Sequence, residues 1–171
     1  MAAPDAASRT AIVRPANQQR RLVARGGVVA ITLLVTSADT NGRYFVADYV
    51  AQAQAPGPAL HLHRDIEETF CVLDGTMQFA IGDDRLTAEV GTVIHVPPNV
   101  PHAFWNAGPA PCRMQITMSP GGFERYFEDL IALNNGDSAA GSDILLLISR
   151  LNQQYDQVVL GPNPFSVPPA K

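Results

Sequence analysis

Two of the four histidines in this chain stand two residues apart. The sequence contains His61, His63, His95 and His102. On a β-strand, residues two apart point to the same face, so the imidazoles of His61 and His63 would lie side by side. Imidazole nitrogen is a common ligand of transition metals, and this spacing therefore predicts a metal site.

A carboxylate follows at a distance that lets it join the two imidazoles. Glu67 and Glu68 are the two alternatives, and the strand predicted next decides between them. Glu68 shares the inward face of that strand with Phe70 and Val72, whereas Glu67 lies just before it. We therefore predict Glu68 as the third ligand.

His102 supplies a further imidazole directly after a proline-rich loop at residues 97–101. It leads a predicted strand on which Phe104 shares its inward face. Three imidazoles and one carboxylate suit one divalent ion of Fe, Mn, Ni, Cu, Co or Zn, and they disfavour Mg and Ca, which prefer oxygen ligands. His95 lies in mid-strand between apolar neighbours, and we interpret it as a core or interface residue.

The elements that position these residues are short strands separated by turns, from about residue 27 to 118. Three turn signals stand out: Asn41-Gly42, Asp74-Gly75 between residues 69–73 and 77–81, and Gly82-Asp83-Asp84. The first two are predicted to be hairpin turns. Many short strands at near-regular spacing indicate an all-β sandwich or barrel.

After residue 121 the apolar period becomes helical. Residues 122–134 are predicted to form one helix, with an apolar stripe at Phe123, Phe127, Leu130 and Ile131. Residues 144–155 are predicted to form a second, apolar at Leu145, Leu146, Ile148 and Leu151. We divide the chain into a flexible N-terminal arm (1–20), a β-barrel (21–120) and a segment of two helices and a Pro-rich tail (121–171).

Composition limits the classes of function. The chain has 171 residues, 46% apolar and 16% charged, with a net charge of −4. This describes one globular domain and argues against a nucleic-acid partner, since phosphate binding needs clustered Lys and Arg. The one basic cluster, Arg20, Arg21 and Arg25, is interpreted as a solvated edge.

No membrane association and a cytoplasmic location are expected. The apolar run at residues 28–35 follows a basic pair as in a signal peptide, but it is too short to span a membrane and rich in β-branched residues. We interpret it as a strand. Cys71 and Cys112 form no CxxC pair and are expected to be free thiols in a reducing compartment.

The motifs around the four ligands resemble those of a known family. His61-x-His63-x4-Glu68-x6-Gly75 resembles the first conserved motif of the cupin superfamily, and Gly91-x5-Pro97-x-Asn99-x2-His102-x3-Asn106 resembles the second. Ala55 and Asn99 stand where the family has glycines. Ser119-Pro120-Gly121-Gly122-Phe123-Glu124 and the helix after it are similar to the quercetinase-like small monocupins, which are flavonol dioxygenases.

The resemblance implies a double-stranded β-helix, the cupin or jelly-roll barrel, followed by two C-terminal α-helices. It implies a metal held by His61, His63, Glu68 and His102, with Glu68 as the catalytic group that accepts a substrate proton. It also implies a homodimer that pairs through N-terminal strands.

The expected activity is dioxygenation of an enolisable, flavonol-like aromatic small molecule, with dioxygen as co-substrate. Two alternatives remain open: a metal-dependent isomerase, lyase or cyclase that needs no oxygen, and a cupin that binds a small ligand without catalysis. Four apolar side chains are expected to line the substrate pocket or, alternatively, only to fill the barrel core: Phe70, Phe79, Phe104 and Met114.

Overall fold

The computed structural model describes residues 11–136 and 142–165, so residues 1–10 of the predicted arm lie outside the described part. The described part contains eleven strands and two α-helices. The strands are β1 (Arg20–Val23), β2 (Val29–Val35), β3 (Phe45–Ala51), β4 (Leu60–Leu62), β5 (Glu67–Asp74), β6 (Thr76–Ile81), β7 (Asp84–Glu89), β8 (Val93–Val96), β9 (His102–Trp105), β10 (Cys112–Ser119) and β11 (Val158–Gly161). The helices are α1 (Glu124–Asn135) and α2 (Ser142–Gln154).

The strands form two antiparallel sheets. One has six strands in the order β1-β2-β3-β10-β5-β8, and the other has five in the order β11-β4-β9-β6-β7. Strands that are distant in sequence alternate as neighbours, as in a double-stranded β-helix. The predicted all-β fold with two helices near the C-terminus is therefore confirmed.

The core lies between the two sheets, because each strand buries alternate residues. Strand β3 shows the pattern most clearly: Phe45, Ala47, Tyr49 and Ala51 are buried, and the residues between them are partly exposed. Aromatic rings meet edge to face in the centre, where the ring centroids of Phe70 and Phe79 lie 5.1 Å apart. The alternation of buried and partly exposed residues in β3 is the pattern expected of a strand with one face in the core.

Two of the three predicted turns join paired strands. Asn41 and Gly42 adopt left-handed conformations between the paired strands β2 and β3, and Gly82 lies between the paired strands β6 and β7. The hairpin predicted at Asp74-Gly75 is wrong, because β5 and β6 belong to different sheets. The tight turn there carries the chain from one sheet to the other.

The core alternative for His95 is also wrong, and the interface alternative stays a prediction. Strand β8 is an edge strand of the six-stranded sheet, and its outward face carries Val93 and His95, both exposed, while Val96 is buried. The His95 ring lies within hydrogen-bond distance of the Thr69 hydroxyl, at 3.1 Å on the neighbouring strand.

The two ends of the described chain are tied to the barrel. Before β1, the guanidinium of Arg14 donates to the Leu34 carbonyl and to both oxygens of Asp39. Near the other end, β11 pairs with β4. Strand β11 was not predicted from the sequence. Cys71 is half-buried, Cys112 is buried, and both are free thiols.

The helices lie close to their predicted positions, but the apolar stripe of α2 is only partly buried. Leu151 packs against the core, whereas Leu145 and Leu146 are 69% and 53% exposed. Neither helix, within the described residues, is long and apolar enough to cross a membrane.

Candidate metal centre

The four predicted ligands come from both sheets and meet inside the barrel. His61 lies on β4 and pairs in register with His102, the first residue of β9. His63 follows β4 directly, and Glu68 is the second residue of β5 in the opposite sheet. A ligand atom from each of the four side chains lies within 4.8 Å of the others.

All four side chains are buried, with residue exposures between 1% and 4%. A buried carboxylate and three buried imidazoles cost free energy unless they are paired or bind an ion. The group is compact enough for one ion to contact every donor. These residues could therefore hold a metal ion.

Backbone carbonyls orient each imidazole. The Nδ1 atoms of His61, His63 and His102 lie 2.8, 2.8 and 3.0 Å from the carbonyl oxygens of Ala59, Asp156 and Val100, respectively. Since a carbonyl can only accept, each Nδ1 must carry the hydrogen. The Nε2 atoms then face the centre of the group, as in metal sites where the second ring nitrogen fixes the tautomer.

Two contacts test whether a metal fits this group. Among the described residues, His63 Nε2 is a buried nitrogen without a hydrogen-bond partner, and it lies 3.6 Å from Glu68 Oε2. His102 Nε2 lies 3.0 Å from the same oxygen. An ion at this point would satisfy the orphaned nitrogen and replace the hydrogen between His102 and Glu68, so the donor set fits a transition metal.

The electrostatics of the group favour an ionised carboxylate. Burial raises the pKa of Glu68, but the hydrogen bond from His102 and the neighbouring His63 outweigh it and hold that pKa below its ordinary value. Burial lowers the pKa of His102, and the contact with Glu68 reverses this into a net rise. Burial, together with the neighbouring His102, lowers the pKa of His61 to about 3, so that ring is neutral and free to ligate.

A cavity of about 340 Å³ opens onto His61, His63 and Glu68. Its wall is mostly apolar and is supplied by both sheets and by the two helices. The helical contribution consists of Tyr126, Phe127, Leu130, Ile131 and Asn134 from α1 and of Ile148 and Asn152 from α2. Among the described residues that line the cavity there is no Lys or Arg, and Glu68 is the one carboxylate. The helices therefore cover the metal-facing space and are not mere padding on the outside of the barrel.

The four apolar residues expected at the substrate pocket take different positions. Phe104 lines the cavity. Phe70, Phe79 and Met114 are fully buried core residues and are not part of the wall, which favours the core-filling alternative for these three. Phe123 is a wall residue that the sequence reading placed only in the helix stripe, and its ring centroid lies 4.9 Å from that of His63.

Several polar residues of the site lie near the C-terminus and were missed. Besides the carbonyl that contacts His63, Asp156 has a carboxylate that accepts hydrogen bonds from the amides of Arg64 and Asp65. Tyr126 donates its hydroxyl to Asn152 at 3.0 Å inside the cavity wall, and burial raises the pKa of that phenol to about 12. The position of Asp156 directly after a helix, where left-handed residues are common, is the one local signal.

Two motif residues, Asn99 and Asn106, and Gly57 before β4 have structural roles beside the ligands. Asn99 has a φ of 65°, so it adopts the left-handed conformation in place of the family's glycine. A Cβ at Gly57 would lie 1.6 Å from the Phe104 carbonyl oxygen, which explains why only glycine fits there. Asn106 donates to the carbonyls of Ala51, Gln52 and Ala110 and closes the loop before β10.

Comparison with known proteins agrees with this architecture. Residues 48–119 match the cupin domain family. No curated protein matches the chain in sequence. Among solved structures, an RmlC-like cupin from Shewanella frigidimarina has a TM-score of 0.56 at 16% identity, with 68% of this chain and 96% of that chain covered.

Two enzymes share the fold at similarly low sequence identity. A sugar phosphate isomerase of the cupin superfamily from Silicibacter pomeroyi has a TM-score of 0.54 at 15% identity, covering 63% of this chain and 75% of that one. The polyketide cyclase RemF from Streptomyces resistomycificus has a TM-score of 0.53 at 18% identity, covering 64% and 78%. At these identities the likeness concerns the fold alone. Residues 48–119 thus match the cupin domain family, and the chain has the cupin fold.

Proposed function

We propose that this protein binds one divalent transition metal through His61, His63, Glu68 and His102, and that it acts on a neutral, enolisable aromatic small molecule in the adjoining cavity. The observation that carries the proposal is the position of Glu68. Its carboxylate is buried, ionised and open to a cavity in which no described lining residue is Lys or Arg. Such a site suits a neutral apolar substrate better than a phosphorylated one.

Glu68 would have two roles. It would ligate the metal, and it would accept the proton of an enol or of a carbon next to a carbonyl, because it is the one ligand that is also a suitable base. The metal would stabilise the negative charge that the substrate oxygen gains. The imidazoles, fixed by their carbonyl partners, would keep the carboxylate and the substrate oxygen in a constant relative position.

The wall of the cavity would orient the substrate and exclude water. Phe104 and Phe123 offer aromatic faces against which a planar ring can stack. Tyr126 and Asn152, which hydrogen-bond to each other in the wall, would be polar groups that a polar substituent of the ligand meets there.

The first candidate reaction is dioxygenation, in which a carbon–carbon bond of the enolised ring is broken and both atoms of dioxygen enter the product. The resemblance of residues 119–124 and the following helix to quercetinase-like cupins supports it. The second candidate is a redox-neutral isomerisation, elimination or cyclisation. The base-like position of Glu68 supports that candidate equally, because proton transfer alone requires no oxygen.

The test is turnover of a panel of flavonols and other enolisable aromatics by the metal-reconstituted protein, in air and under argon. Oxygen uptake equal to substrate loss, absent under argon and in a His102→Ala variant, would support the oxygenase. Turnover that persists under argon would support the redox-neutral candidate. Tight binding without turnover in either atmosphere would contradict an enzymatic role and indicate a ligand-binding cupin. The expected homodimer is checked separately by light scattering.

A further inference from the structure

His63 is the one proposed ligand that lies just outside a strand. Strand β4 ends at Leu62, so the sheet hydrogen bonds do not fix the position of the His63 ring. The His63 carbonyl accepts the Asn99 amide at 2.7 Å, which holds the backbone. Its imidazole is oriented through Nδ1, which donates to the Asp156 carbonyl at 2.8 Å across 93 positions of sequence.

Asp156 is itself fixed by the segment that it orients. Its backbone has a φ of 56°, a left-handed conformation that Asn, Asp and Gly tolerate best. Its carboxylate atom Oδ2 accepts the amides of both Arg64 and Asp65, at 2.9 and 3.0 Å. The side chain of Asp156 thus hydrogen-bonds to the two residues after His63, while its carbonyl hydrogen-bonds to the His63 ring.

The chain after Asp156 continues this attachment along β4, the strand that carries His61 and that ends just before His63. In β11, Val159 pairs with His61 and Val158 with Leu62. Farther on, the Asn163 amide donates to the carbonyls of Pro58 and Phe104, at 2.7 and 3.0 Å. On its other side β4 meets β9 through the single pair of His61 with His102, so the C-terminal segment supplies much of the support for this short strand.

We propose that Asp156 is a positioning residue for the metal ligand His63, and that the segment 156–163 is thereby coupled energetically to metal occupancy. The inference rests on the metal site of the proposed function. A hydrogen bond to Nδ1–H orients a ligating imidazole and raises its basicity, and loss of such support typically weakens metal binding by about 10- to 100-fold. Coupling is reciprocal, so a bound metal should in turn hold the C-terminal segment more firmly on the barrel.

The chain offers variants that separate backbone strain from the carboxylate. Asp156→Gly keeps the left-handed backbone but removes Oδ2, and Asp156→Ala loses both. Asp156→Asn keeps both features, because the two amides donate to a single oxygen that the asparagine side chain also has. Tyr155→Phe is the matched control, since it removes the neighbouring hydrogen bond to Asp129 without touching His63.

The experiment measures Co²⁺ affinity by competition with a chelator, together with the visible spectrum of bound Co²⁺, for these full-length proteins. We expect Asp156→Gly and Asp156→Ala to bind about 10- to 100-fold more weakly and to show altered cobalt spectra. Asp156→Asn should restore affinity to within about threefold, and Tyr155→Phe should match the wild type. Folded Gly and Ala variants with wild-type affinity and spectrum would overturn the inference, as would an Asn variant as weak as the Gly variant.

If the Gly and Ala variants fail to fold, amide hydrogen exchange of the wild-type chain tests the coupling between metal binding and the segment 156–163. Co²⁺ should slow amide exchange in the peptide covering residues 156–161, which contains no proposed ligand. Unchanged exchange there would overturn the coupling while leaving the metal site intact. A wild-type chain that binds no Co²⁺ would instead overturn the proposed function, and this inference with it.

Discussion

Nε2 of His102 lies 3.0 Å from Oε2 of Glu68, and this contact joins the two sheets of the barrel. Glu68 lies on β5 of the six-stranded sheet and His102 on β9 of the five-stranded sheet. An ion bound between them, with His61 and His63 as further ligands, would cross-link the sheets from inside. Occupancy of the site should therefore affect the stability of the whole fold.

The first prediction concerns thermal stability. A metal that binds only the folded chain adds about 2.7 kcal/mol at a concentration 100 times its Kd. For a chain of this length this corresponds to a rise in Tm of about 5–10 °C. Differential scanning fluorimetry with and without Mn²⁺, Co²⁺, Ni²⁺ or Zn²⁺ should show the rise, and a chelator should reverse it. The same rise in a His102→Ala variant would mean that the ions act elsewhere.

The second prediction separates the two adjacent glutamates. Glu68→Gln keeps the shape of the side chain but removes its charge, so metal affinity should fall by at least about 100-fold, more than typical losses from changes outside the ligand set. Glu67→Gln is the matched control, because Glu67 is exposed at the start of the same strand. Isothermal titration with Co²⁺ compares them. Weaker binding in the Glu67 variant than in the Glu68 variant would refute the ligand assignment.

The third prediction concerns the close approach at Gly57. A Cβ there would lie 1.6 Å from the Phe104 carbonyl oxygen and 2.7 Å from its carbon, so Gly57→Ala must displace backbone. We expect the free energy of unfolding to fall by at least about 2–3 kcal/mol, measured by urea denaturation. Gly161→Ala is the control, because its Cβ would meet nothing within 4 Å and should cost under about 0.5 kcal/mol. Equal losses in both variants would contradict the packing described here.

The fourth prediction concerns Glu124 at the start of α1. Its two carboxylate oxygens accept the amides of Ser37 and Gly122, at 2.7 and 2.8 Å, and so attach the cavity-covering helix to the loop after β2. Burial raises the pKa of this carboxyl, but the hydrogen bonds from Ser37 and Gly122 hold it below its ordinary value of 4.5. Glu124→Gln should cost about 2 kcal/mol near neutral pH.

The sign of the pH dependence follows from the lowered pKa. The charge of Glu124 stabilises the fold above the pKa of the unfolded chain, and this contribution disappears as the pH falls through the lower folded pKa. The Tm difference between wild type and Glu124→Gln should therefore be largest above about pH 6 and shrink below about pH 4. Glu128→Gln, at an exposed ion pair with Arg20, is the control and should change Tm little. A Tm gap for Glu124→Gln that widens in acid would contradict this role.

The clustering of the four candidate ligands could be predicted because strand geometry is local. The spacing of His61 and His63 and the parity of Glu68 with Phe70 depend only on the period of two, and these side chains do lie buried on inward faces. The prediction of a hairpin at Asp74-Gly75 was wrong because strand pairing is not a local property. Turn residues report the local backbone conformation but not which sheet the next strand joins.

Other features depend on distant parts of the chain. His95 is exposed because it lies on the outward face of β8, and its apolar neighbours on both sides did not reveal that face. Asp156 contacts His63 across 93 positions, and β11 pairs with β4, a strand far away in sequence. Leu145 and Leu146 match a helical stripe, yet they are exposed, whereas Ile148 and Asn152 farther along α2 line the cavity.

The central claim, a metal held by three imidazoles and one carboxylate, is tested most directly by X-ray absorption at the metal edge of the reconstituted protein. We predict about one ion per chain, a first shell of nitrogen and oxygen only, and outer-shell scattering from three imidazoles that drops to two in a His102→Ala variant. A sulfur ligand, fewer than three imidazoles in the wild type, or an unchanged spectrum in the variant would contradict the site described here.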